Sequence, residues 1–103
     1  MDNERFDLSL LDEEDPFEID TQAAHLFKHP HLGIDDIDDV WASDPLFYPA
    51  RPPADWLMCA EVGGRVLMVP LAPARSGNPQ RCRPIGCYEA SRALAAQYRK
   101  DHR

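Results

Sequence analysis

Apolar and polar positions change rhythm several times along the chain, and each change marks an element. Phe17 to Asp20 alternates apolar and acidic residues as a short strand does. Asp20 or Thr21 then caps a predicted helix, TQAAHLFK, with Ala23, Ala24, Leu26 and Phe27 as its apolar positions; Pro30 ends it, because the residue before a proline is pushed out of helical geometry. A second helix follows Gly33, with Asp35 as predicted cap, Asp38 three residues on, and Ile34, Ile37, Val40 and Trp41 on one face. Asp44-Pro45 stops it, and Leu46 to Tyr48 is read as a short strand before the prolines at 49, 52 and 53. The two apolar, β-rich runs Trp56 to Val62 and Arg65 to Ala72 are separated by Gly63-Gly64, the spacing of a two-residue hairpin turn at positive φ. Pro70 has no ladder donor, so its nitrogen is expected at an edge or a bulge. A polar loop leads to a strand over Arg81 to Cys87, and Glu89 to about Lys100 carries Ala90, Leu94 and Tyr98 along one helical stripe. The expectation is an α+β domain over residues 17–103: a small antiparallel sheet of three to four strands, two N-terminal helices and one C-terminal helix. Residues 1–16 lack a period and end at Asp15-Pro16, and are expected to be a disordered acidic tail.

Charge sharpens this division. The 103 residues carry a net charge of -7, which taken whole argues against a polyanionic partner. Residues 1–20, however, hold nine acids against Arg5 alone, whereas residues 64–103 hold Arg65, Arg75, Arg81, Arg83, Arg92, Arg99, Lys100 and Arg103 against only Glu89 and Asp101. The C-terminal half can meet an anion, and the tail could lie across it as a tethered competitor. The start has no basic segment followed by an apolar run, so neither a signal peptide nor a membrane span is expected and the protein is placed in the cytoplasm. Cys59, Cys82 and Cys87 are then expected as free thiols. His25, His29 and His31 lack a Cys or carboxylate to complete a ligand set, so no metal and no other cofactor is expected. Trp41 and Trp56 sit within apolar runs and are read as core.

Four clusters of residues, in order, resemble the BrnT family of bacterial toxins: Lys28-His29 followed by Gly33-Ile34; Val40-Trp41 followed by Asp44-Pro45; Gly64-Arg65 opening a strand; and Arg83 leading into Ala90, Ser91, Arg92 and Tyr98. The resemblance covers about four-fifths of the chain. It implies a RelE-like fold and metal-free endoribonuclease activity, in which a ribose 2′-OH attacks the neighbouring phosphate, with RNA as substrate and a ribbon-helix-helix antitoxin as partner. In that scheme Arg65 and Arg83 stabilise the phosphorane and Tyr88 or His29 moves the proton, while Lys28, Arg81 and Arg75 bind RNA. Arg81 and Arg83, two residues apart on one predicted strand, would share a face, with Arg65 converging on the same phosphate.

The chain departs from the family where Tyr88 replaces a second arginine, where Leu94 replaces a glutamate, and where Pro30-His31 is inserted in the first motif. These departures, with the acidity and the proline-rich stretch 49–53, support an alternative: a non-catalytic protein-binding module on the same fold. The aspartates at 35, 36, 38 and 39 beside the acidic tail raise a third, an acidic mimic of nucleic acid.

Overall fold

A computed structural model describes residues 5–19 and 33–102. The predicted first helix, with Lys28, His29 and the other two histidines of that segment, lies outside the described residues. Among the rest, the order is a 3-10 turn at Leu8–Leu10, helix α1 (Ile34–Ala42), strands β1 (Leu46–Pro49), β2 (Trp56–Val62), β3 (Arg65–Pro73), β4 (Cys82–Pro84) and β5 (Tyr88–Glu89), and helix α2 (Arg92–Asp101). The strands form one antiparallel sheet in the order β1-β2-β3-β4, with β5 also on β3, so the predicted α+β class with an antiparallel sheet holds. Gly63 and Gly64, at φ 60° and 83°, make the hairpin turn that the dipeptide predicts.

The single strand predicted over Arg81 to Cys87 is two pieces. Leu71 faces Pro84 and Met68 faces Tyr88, so three residues, Ile85 to Cys87, stand opposite two. That is a β-bulge, and its cause is Pro70. The Pro70 carbonyl accepts from the Ile85 N–H at 3.0 Å, so the proline nitrogen faces the same neighbour and offers it no donor. Because the strand resumes at Tyr88, α2 starts later than the periodicity suggests: Ser91 is its cap, its hydroxyl accepting from the Leu94 N–H at 3.2 Å. The cap of α1 is likewise corrected, from Asp35 to Gly33, whose N–H donates to the Asp36 carboxylate at 2.7 Å.

Register divides the side chains between two faces. Met58, Ala60, Leu67, Val69 and Leu71 point to one face and are fully buried beneath α1, which contributes Ile37 and Val40. Trp41 extends this core by edge-on contacts with Phe17 and Phe47 at 5.5 and 6.4 Å. On the opposite face α2 covers the hairpin end: Tyr98 is buried, Arg99 meets Glu61 at 3.1 Å, and the Tyr48 hydroxyl donates to Asp101 at 2.9 Å. Leu57, Met68 and Pro70, farther along that face, stay half-buried.

Residues 5–16, expected to be disordered, instead form an ordered strap on the α1 side. The Trp56 and Trp41 indole N–H groups donate to the carbonyls of Phe6 and Glu13, each at 3.0 Å, and the Arg5 guanidinium sits 5.7 Å over the Trp56 ring. Leu11 is buried, and the strap ends as a parallel bridge between Phe17 and Cys82, with hydrogen bonds of 2.8 and 2.7 Å on either side. The expectation of disorder weighed the strap's own apolar residues alone. Two tryptophans supply the missing surface and the donors that its backbone needs.

Candidate functional site

Arg83 and Tyr88 share the sheet face that α2 covers only in part. Arg83 stands opposite Ala72 and Tyr88 opposite Met68, four residues apart on β3 and therefore roughly 13 Å along the strand. The Tyr88 ring folds back over Gly86, toward Arg83: a Cβ at position 86 would meet the Tyr88 hydroxyl at 2.7 Å. Glycine lets the aromatic ring rest on the backbone of the bulge. Arg83 is half-buried, and its Nε, like that of Arg81, is enclosed with no hydrogen-bond partner among the described residues. A buried guanidinium N–H without an acceptor costs about 1–3 kcal/mol.

The other predicted residues do not join this pair. Arg65 opens β3, whereas Arg83, on β4, stands level with Ala72 near the other end of β3, seven residues or roughly 23 Å along and on the opposite face, so the expected convergence on one phosphate is corrected by the strand register. The mistake came from treating neighbouring strands as neighbouring positions. Arg65 instead lies 3.9 Å from Glu89, near Arg92 and Arg99 of α2. Arg81, just before β4, is instead engaged with the strap, donating to the Asp15 carboxylate at 3.2 Å and to the Phe17 carbonyl. Arg75 sits in the exposed loop after β3, where its backbone N–H donates to Glu18 at 2.8 Å. Glu18 also accepts from Ser76, whose hydroxyl is the main reason its carboxyl lies below the ordinary value. The acidic strap thus meets the basic half of the chain at Arg81 and this loop.

All three cysteines are buried thiols. Burial pushes Cys59 and Cys87 up to about 11 and Cys82 up to about 12, far from the acidic range of a nucleophilic thiolate. Burial, and then a hydrogen bond to Asp101, likewise raises the Tyr48 hydroxyl to about 12. No group of three or more His, Cys, Asp or Glu that could hold a metal ion occurs among the described residues. No described helix is long and apolar enough to cross a membrane.

Of the residues singled out from the sequence, Arg83 and Tyr88 share this face; Gly86 was not among them, and Arg99 was counted only within the basic half, as was Arg92 apart from its place in the fourth motif. The seven-residue spacing of the two arginines was a visible signal, since it puts them on one side of a helix. The chain matches no known family model, no curated protein and no solved structure.

Proposed function

We propose that this protein is a divergent BrnT-like, RelE-like toxin component that binds RNA across the Arg83–Tyr88 face and cleaves it there without a metal. The observation that carries the reading is the half-buried Arg83 guanidinium, its Nε without a hydrogen-bond partner among the described residues, on the same face as Tyr88, whose ring lies over Gly86. In the reaction the ribose 2′-oxygen attacks the adjacent phosphorus and the 5′-oxygen leaves, producing a 2′,3′-cyclic phosphate. Arg83 stabilises the charge that builds on the phosphorane oxygens, and the Tyr88 hydroxyl takes part in the proton transfer from the attacking 2′-OH to the leaving oxygen. A ribbon-helix-helix antitoxin is the partner that this family reading entails, and the cytoplasm the compartment.

The separation of Arg65 from Arg83 favours a second reading, a non-catalytic module that keeps the fold and binds a protein. Incubating total RNA with the purified protein in EDTA decides between the two. Cleavage that falls by a factor on the order of 10²–10³ in Arg83→Ala, and clearly in Tyr88→Phe, with the fold retained, supports the nuclease. Absence of cleavage by the unaltered protein at every concentration rejects it in favour of the binding module.

A further inference from the structure

The corner where β5 turns into α2 holds a groove of about 370 Å³ lined by Arg65, Arg92 and Arg99. Gly64, Ala90, Ala95 and Ala96 also line it, so no bulky side chain fills the space between the arginines. The three cations come from two elements: Arg65 from the start of β3, Arg92 and Arg99 two turns apart on α2. Their internal pairing is slight. Arg99 meets Glu61 at 3.1 Å and Arg65 approaches Glu89 only to 3.9 Å, with all four side chains roughly half exposed or more, while Arg92 has no acidic partner among the described residues. Exposed pairs of this kind contribute little to stability, so stability alone does not account for gathering three guanidinium groups around an open groove.

We propose that this groove binds the backbone phosphates of RNA that extends beyond the Arg83–Tyr88 pair. The inference rests on the RNA reading above and assigns Arg65 to RNA positioning instead of to chemistry. Guanidinium suits phosphate oxygens because its planar fork donates to two of them at once. The location fits a continuous strand, since Glu89 and Ala90 of the groove directly follow Tyr88. The roughly 23 Å of β3 between the levels of Arg83 and Arg65 spans several nucleotides, and because Arg65 lies on the opposite face the RNA rounds the β5 edge to reach it. Glu89, the one acid lining the groove among the described residues, opposes the ligand and sets a limit on affinity.

Binding of a short fluorescent 2′-O-methyl RNA, which lacks the attacking hydroxyl, separates binding from cleavage. Arg92→Gln should weaken binding, and the Arg65→Gln/Arg92→Gln/Arg99→Gln triple variant should weaken it on the order of tenfold or more at low salt. In the triple variant the slope of log affinity against log salt should be shallower by about two. Glu89→Gln should act in the opposite sense and tighten binding severalfold, a gain that damage to folding would not produce. If the unaltered protein binds and cleaves RNA but none of the four substitutions changes affinity or slope, the groove assignment is wrong while the Arg83–Tyr88 reading stands. If the unaltered protein neither binds nor cleaves RNA, both fail. Retention of polyglutamate in place of RNA would reassign the groove to an acidic protein segment.

Discussion

A methyl group at position 86 would have to share space with the ring of Tyr88. Gly86→Ala should therefore displace that ring at a stability cost of about 1–3 kcal/mol. If Tyr88 serves the chemistry, cleavage should fall several-fold more than the change in melting temperature explains, and comparing the two readouts in one variant checks this. The thiols supply a second test at this scale. Buried and held protonated, Cys59, Cys82 and Cys87 should resist iodoacetamide at pH 8 in the folded protein and react fully in denaturant, as mass spectrometry would register. Rapid labelling of any one in the folded state would contradict the packing described. Arg83 was legible as a candidate through the family resemblance and the excess of arginine over acid in residues 64–103. Its isolation from Arg65 was not, because pairing register depends on the bulge and turn and one residue of slip changes the face.

Among elements, the strap departs most from expectation. Its backbone supplies acceptors for two indoles and its Leu11 is buried, so deleting residues 1–16 should destabilise the domain on the order of 3 kcal/mol, measurable by urea unfolding. A disordered tail would give no change. Trp41→Phe keeps the aromatic packing but loses the bond to Glu13, and should cost about 1 kcal/mol. The hairpin and both described helices were legible because their periods and turn residues agree with their burial. The strap was not, since its order depends on partners about 30 to 70 residues away in sequence. Splitting of the last strand was half legible: Pro70 announces a bulge or an edge, but only the paired registers of β4 and β5 say which.

For the molecule as a whole, titration sets limits at both ends of the pH scale. Burial holds the thiols above their ordinary value of 9.0, so above that pH the unfolded chain gives up protons that the folded chain keeps, and stability should fall as pH rises from 9 toward 11. At the acid end Asp7, Glu18 and Asp101 are lowered in the folded protein by their hydrogen bonds. Their contribution is present above about pH 4 to 4.5 and is lost as pH falls through the lowered values. Melting temperatures from pH 3 to 11 should trace a plateau with both flanks descending. The bridge between Phe17 and Cys82 also bears on the protein's birth at the ribosome. The strap is synthesised before the sheet, and the edge it completes emerges 65 residues later, roughly 3–13 s at ordinary elongation rates. Until then the nascent chain holds an acidic, tryptophan-binding segment with no edge to join, so closure of the domain must wait for β4.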